Sequence, residues 1–502
     1  MIDREAYKKI ILDELNKVIV ELLSNGRKEK DNDIYAEIKA YLKAVSEQLY
    51  IYKDSPPNVI YDLIIDRYLK TVKGIASIVP GLTTAISDDK TGLSLETYSG
   101  VSSQNGPKID ENTRFDYASI TKLFTAVEAL KLQEEGKLDL NKSVRELSDG
   151  EFDLDVSADR LSKFGISLKT QGRIDEKDIT KEDFEKRLHT IMVREDIPFE
   201  YNDILYIILK MLMPKDDDYF SKYFHDEMRL LDTSYKKFGL MTGGSVAAID
   251  LPYDPKAKQM YKFGYFTPGH AGLFGTSRDL VKFHKNLRLL LSDKSISELI
   301  KKADINNEPD EEGKTINQNR AMGVYINIPG GLETGEVVPY LSKGAFSAAG
   351  SSGGYATYDI SNGLTANFLS NPYSTNIPFM VDTSDPKFSF GDAVDSNKLL
   401  RVDKKKIELY DKNGEPIRTI KDGKTVLDSD GNEVIETIKL TTITNELKNE
   451  QIKTLLGLRL ANKVLYRVVN ELLAKEDNQD LVRRRLDDSN LGNNTAVVKK
   501  NI

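Results

Sequence analysis

The sequence predicts an α+β chain, and three observations carry that expectation. Apolar residues recur at helical spacing through residues 1 to about 75. Turn-bounded, β-rich runs appear at 81–100 and again at 354–369. A third β-rich block at 403–440 is spaced by Asn-Gly and Asp-Gly pairs. At 502 residues with 39% hydrophobic and 30% charged side chains, the chain has enough apolar material for a buried core.

The elements follow in order. Ile10, Ile11, Leu15, Val18 and Leu22 fall on one helical face, and Tyr41, Leu42, Val45 and Leu49 repeat the spacing. Ser55-Pro56-Pro57 breaks the pattern, and Val59 to Ile75 resumes it. After Pro80-Gly81, two strand-like runs flank Asp88-Asp89-Lys90-Thr91-Gly92 as a hairpin. From Ser119 a long amphipathic helix is expected to run to Gly136, with Ile120, Leu123, Phe124, Val127 and Leu130 on one side.

Residues 150–300 read as mostly helical. Strands are expected at Met322–Ile328, Gly354–Ile360 and Leu364–Leu369, the last two joined through Ser361-Asn362-Gly363. The 403–440 block reads as a β-meander, followed by an amphipathic helix over about 448–475 and a charged tail. Four segments result: an N-terminal helical extension (1–55), a main domain (56–402), a small β-meander insertion (403–440), and a C-terminal helix with tail (441–502).

Composition narrows the chemistry. Seventy-one basic and seventy-nine acidic side chains leave a net charge of −8, which argues against nucleic acid as partner. Zero cysteine removes thiolate nucleophiles, disulfides and Cys-based metal clusters. The four histidines (His189, His225, His270, His284) have no metal-binding spacing, so a histidine-rich metal site is not expected. The start is charged and amphipathic, without the pattern of a secretory signal, and the most apolar run, around Lys210, is too short to span a bilayer. A cytoplasmic protein is the expectation.

Ser119-Ile120-Thr121-Lys122 is the first chemical candidate. A serine needs a base to become a nucleophile, and positions i and i+3 of a helix share a face, so Lys122 can lie beside Ser119. Lysine serves as that base only if burial or nearby positive charge lowers its pKa. A serine at a helix N-terminus also faces unpaired backbone N–H groups. The spacing alone is weak, because Ser87/Lys90, Ser234/Lys237 and Ser384/Lys387 share it. An N-cap serine near a surface lysine is the commoner meaning of such a pair. Only Ser119 opens a long helix.

The passage Phe115-Asp116-Tyr117-Ala118-Ser119-Ile120-Thr121-Lys122, continued by Leu132-Gln133-Glu134-Glu135-Gly136-Lys137-Leu138-Asp139-Leu140, resembles the serine β-lactamase and penicillin-binding-protein superfamily. The class C-like branch, which includes esterases and D-amino-acid peptidases, is the nearest. Val79-Pro80-Gly81-Leu82 and Gly269 to Leu280 follow as further landmarks in the family's order. The resemblance covers about residues 58–372. It implies a β-lactamase-like α+β fold: an antiparallel sheet from 81–100 and 322–370, flanked by helices, plus a mostly helical lobe at about 140–300.

The resemblance also implies roles. Pro198-Phe199-Glu200-Tyr201-Asn202-Asp203 is similar to the family's second motif, with Tyr201 as proton shuttle and Asp203 where asparagine is usual. Gly350-Ser351-Ser352-Gly353-Gly354 is similar to the third motif, with Ser352 and Gly353 matching and Ser351 in place of a lysine or histidine. The backbone N–H groups of Ser119 and Gly354 would form the oxyanion hole. His270 is a lesser candidate, more simply read as structural. Asp428, Asp430 and Asn432 read as a hairpin turn rather than a calcium loop.

The expected function is a serine hydrolase working through an acyl-enzyme, an esterase or amidase on a small acyl substrate, a chemistry that requires no metal and no cofactor. A β-lactamase or D-alanyl carboxypeptidase is the alternative within that class. A catalytically weak or inactive binding or scaffold protein is the alternative outside it, with residues 1–55 as a surface for a protein partner or self-association.

Overall fold

Helical periodicity at the start of the chain is realised as three helices, α1 (Arg4–Ser24), α2 (Asp33–Ile51) and α3 (Pro57–Ile78), in a computed structural model. It describes residues 3–24, 33–103, 105–194, 200–215, 218–235, 254–265, 267–302, 320–326, 341–342, 344–373, 377–387, 389–473 and 497–501. Contacts divide the chain into two units: residues 1–110, 338–342 and 359–502, and residues 111–337 with 343–358.

In the first unit, Pro57 opens α3 at its first position, where its missing N–H is an orphan anyway. The hairpin forms as expected, with β1 (Gly81–Asp88) antiparallel to β2 (Ser94–Gly100). Strand Leu364–Ser370 lies antiparallel on the far side of β1, with Leu82 opposite Ser370. The last strand, Val497–Asn501, adds parallel to β2 and had no sequence signal; the expected tail between it and the helix lies outside the described residues.

The C-terminal helix spans Leu440–Leu473, starting eight residues before the expected 448, because Leu440, Ile443 and Leu447 are buried and extend its apolar face. It packs on α1, α2, α3, β1 and strand Leu364–Ser370. Two polar clamps tie it down, the first of them buried. Arg459 donates to Asp88 Oδ2 at 2.8 Å and Oδ1 at 2.5 Å and to Asn362 O at 2.6 Å. Arg67 reaches Glu450 in a fork at 2.9 and 2.8 Å. The β-rich block is a four-stranded antiparallel sheet, Phe379–Asp382, Lys398–Asp403, Lys406–Asp411 and Thr437–Lys439, so its pairing begins upstream of residue 403. Asp428 accepts from the N–H groups of Asp430 and Asn432, both at 2.9 Å, the geometry of a turn.

In the second unit, α4 (Thr121–Glu134) is preceded by a 3-10 turn, Ala118–Ile120, that holds Ser119. The expected one-sided amphipathic helix is instead buried on nearly every side, as a central helix must be. Its charged residues are matched inside: Glu128 takes Lys210 at 2.6 and 2.5 Å. Phe124 packs against Phe224 and Phe283, with ring centroids 5.2 and 4.5 Å apart. Short strands Phe115–Asp116, Leu273–Gly275 and Ser234–Tyr235 form one small sheet, the last two of them inside the stretch 150–300 expected to be mostly helical. Tyr325–Ile326 pairs with Ala345–Gly350, a strand the sequence reading did not anticipate, and Gly354–Asp359 follows it. The expected strand at 322–328 is thus shorter, with residues 327 and 328 outside the described set. No helix among the described residues is long and apolar enough to cross a membrane.

Candidate active site

Ser119 sits in a tight turn that the chain must force. Ala118 has φ +44°, the left-handed region that an L-residue enters at a cost of about 1–2 kcal/mol. Two anchors hold it there: Ala118 N donates to Asp116 Oδ1 at 2.8 Å, and the buried Tyr117 hydroxyl donates to Thr276 O at 2.7 Å. The strain leaves the Ser119 side chain half-buried at the entrance to α4, with its backbone N–H near the positive end of that helix.

Three of the expected residues meet at Ser119 Oγ or one step from it. Lys122 Nζ donates to Ser119 Oγ at 3.0 Å, and Tyr201 OH donates to the same oxygen at 2.7 Å. Lys122 also donates to His270 O at 3.0 Å and pairs with Asp203 Oδ1 at 2.8 Å. Its three N–H donors are therefore all placed, on a side chain only 1% exposed. Asp203 stands in the first turn of helix Asp203–Met211, whose N-cap Asn202 accepts from Ile204 N at 3.0 Å. Aspartate in the motif's third place thus holds Lys122 directly.

The charges shift both members of the pair. Burial, the largest single influence, pushes the Lys122 ammonium toward neutrality, but the Asp203 carboxylate and then Tyr201 together outweigh it and lift its pKa above the ordinary lysine value. Burial likewise opposes the Asp203 carboxylate, and Lys122, then His270 and Lys256, hold it well below the usual carboxylate range. The charges facing Lys122 therefore favour its ammonium form. The condition under which it would serve as a base, a lowered pKa, is not met.

Lys256, Asp254 and Arg320 were not singled out by the sequence. Lys256 Nζ reaches the other oxygen of Asp203 at 3.0 Å. Asp254 caps helix Pro255–Lys262 and meets His270 Nε2 at 2.9 Å. Asp203, Asp254 and His270 lie close enough to suggest a cation site, but Lys122 and Lys256 already occupy the Asp203 oxygens. His270 lies beside the cluster through its carbonyl, which suits its structural reading. The Arg320 guanidinium lies 4.2 Å from the Tyr201 ring centroid, and Phe164 stacks on that ring at 5.3 Å. A lone Asp-Pro-Lys and a lone arginine carry no motif, so no local signal marked them.

The third motif is brought to the same place. Ser352 Oγ donates to Asp116 O at 2.6 Å, and a Cβ at Gly350 would come within 2.5 Å of Tyr117 O. Only glycine permits that approach. Gly353 turns with φ +101°, its N–H bonded to Gly350 O at 2.9 Å, and Gly354 opens the following strand. Ser351 is exposed beside them. Pro198 and Phe199 of the second motif lie outside the described residues.

The Beta-lactamase family model matches residues 69–180, which include Ser119 and Lys122. No curated protein matches the sequence. Similar solved structures include a beta-lactamase/D-alanine carboxypeptidase from Pseudomonas syringae, at 19% identity and TM-score 0.45, covering 62% of this chain and 94% of that one. A D-amino acid amidase from Ochrobactrum anthropi SV3 gives 18% identity and TM-score 0.41, covering 62% and 91%. A class C beta lactamase gives 15% and 0.46, covering 62% and 93%. The resemblance to the serine β-lactamase and penicillin-binding-protein superfamily read from the motifs is borne out, and the fold is β-lactamase-like, of the α+β class.

Proposed function

We propose that this chain is a serine hydrolase that works through an acyl-enzyme on Ser119, as an esterase or amidase on small acyl substrates. The observation that carries the reading is the meeting of Lys122 Nζ and Tyr201 OH on one serine oxygen, at 3.0 and 2.7 Å. Ser119 Oγ bonds to the acyl carbon as its proton passes to Tyr201 Oη. The phenol's own proton passes to the leaving oxygen or nitrogen, and the bond to that atom breaks. Water then attacks the ester, giving its proton to Tyr201 as Tyr201 returns one to Ser119 Oγ. Lys122 keeps its proton throughout and stabilises the negative charge that grows on the serine oxygen.

The backbone N–H groups of Ser119 and Gly354 are assigned to the oxyanion. The close approach of Gly350 to Tyr117, and the strand that Gly354 opens, support that assignment. Ser351 supplies a hydroxyl where a cation would hold the carboxylate of a penicillin or D-alanyl peptide. Losing that charge-assisted bond costs about 1.5–3 kcal/mol, which favours simple esters or amides over β-lactams.

The test is intact-protein mass after incubation with a fluorophosphonate and, separately, with a penicillin. The expected result is one fluorophosphonate adduct per chain on wild type and none on Ser119→Ala. Stable penicillin acylation would move the substrate to β-lactams and D-alanyl peptides. No adduct on folded wild type would overturn the hydrolase reading in favour of a binding role.

A further inference from the structure

Among the described residues, the cations around Ser119 do not all have counter-charges. Lys122 and Lys256 share Asp203, and Asp254 is engaged by His270. Arg320 has no carboxylate partner among the described residues, although it is half-buried against the Tyr201 ring. Its guanidinium lies 3.9 Å from the Tyr325 ring centroid and 5.6 Å from that of Phe164, and one N–H group is given to the Tyr325 hydroxyl.

The backbone fixes it there. Arg320 and Tyr325 face each other across a β-bridge, and Ala321 N donates to Val324 O at 2.9 Å. Within that turn Gly323, at φ +66°, comes so near α4 that a Cβ would stand 2.6 Å from Lys122 O. The turn carrying Arg320 is thereby locked to the backbone of the residue beside Ser119. Aromatic rings against the guanidinium hold it rigid and leave edge N–H groups available for a planar, two-oxygen acceptor.

We propose that Arg320 recognises a carboxylate on the substrate, making hemiesters or hemiamides of small dicarboxylates the preferred class. The proposal rests on Ser119 being the nucleophile. It places the anion-binding charge on the Tyr201 side of the site, in contrast to the neutral hydroxyl of Ser351. A guanidinium with no counter-charge among the described residues, set beside the proposed nucleophile's tyrosine, is the arrangement a substrate carboxylate completes, through two charge-assisted hydrogen bonds of fork geometry.

The experiment compares p-nitrophenyl hemiglutarate with p-nitrophenyl butyrate on wild type, Arg320→Gln and Arg320→Lys. The ratio of the two kcat/KM values cancels any loss common to both esters. The expected result is a wild-type preference for the hemiester that falls roughly 10- to 100-fold in Arg320→Gln and is partly restored in Arg320→Lys. An unchanged ratio with both esters turned over overturns the proposal.

A second arm measures glutarate binding calorimetrically to Ser119→Ala, with and without Arg320→Gln. Glutarate binding that depends on Arg320 supports the anion site even where no ester is hydrolysed, and separates its fate from that of the nucleophile. Absent or Arg320-independent binding, with neither ester hydrolysed, overturns it.

Discussion

Replacing Asp203 by asparagine keeps the side chain's size and removes the charge that two ammonium groups share. The carboxylate lies 2.8 Å from Lys122, which is 1% exposed, and 3.0 Å from Lys256, which is 25% exposed. Removing one partner of a buried pair costs about 3–5 kcal/mol, and the better-solvated Lys256 adds at most about 1 kcal/mol. A ceiling follows from proton release. Neutralising a lysine of ordinary pKa at pH 7 costs about 4.6 kcal/mol, at about 1.36 kcal/mol per pH unit, so the variant sheds the Lys122 proton rather than lose more. The expected loss is therefore about 3–5 kcal/mol at pH 7.

The sign of the pH dependence separates this account from a packing defect. In wild type the Lys122 pKa is raised, so its contribution is complete below the ordinary lysine value and is lost only as pH rises through the raised one. In Asp203→Asn the folded Lys122 releases its proton early while the unfolded chain keeps it, so the variant regains stability as pH rises. Urea unfolding of both proteins at about pH 7 and about pH 9 should show a deficit that narrows at the higher pH. A loss below about 1 kcal/mol, or one equal at both values, would refute the shared-carboxylate argument.

Three further outcomes follow from the same geometry. Asp203 is held below the usual carboxylate range, so its contribution is complete above about pH 4 and is lost as pH falls below that; acid titration of stability should show this limb in wild type and not in Asp203→Asn. Tyr201→Phe removes the hydroxyl that lies 2.7 Å from Ser119 Oγ and, with Tyr201 as the proposed shuttle, should lower ester kcat/KM by about 10²- to 10⁴-fold while the fold persists by circular dichroism. Arg459→Met leaves Asp88 buried at 0% exposure without its fork, and should cost about 3–5 kcal/mol in urea unfolding with Ser119, Lys122 and Tyr201 untouched.

Local spacing made much of the site legible. Ser119 and Lys122 are one helical turn apart, and Tyr201 and Asp203 sit at a helix start, so short stretches of sequence hold the geometry of each pair. The protonation of Lys122 was not legible, because Asp203 sets it from a distant part of the chain. Lys256 and Arg320 reach the site only through tertiary packing, and neither lies in a patterned stretch. The hairpin β1–β2 and helices α1–α3 were readable from periodicity and from Pro57. Strand Ala345–Gly350, rich in small residues, lacks the alternation that marks a strand, and Val497–Asn501 is too short and polar to announce its pairing with β2. The burial of α4 on all sides was hidden because Lys122, Thr125 and Glu128 look like a solvated face until their partners are in place.

The most direct test is to trap the acyl group itself. Wild type mixed with p-nitrophenyl acetate, quenched in acid during turnover and cut with trypsin, should carry one acetyl group on the peptide Phe115–Lys122, at Ser119, and Ser119→Ala should carry none. Acetyl on another peptide, or turnover that persists in Ser119→Ala, would contradict the assignment of Ser119 as the nucleophile.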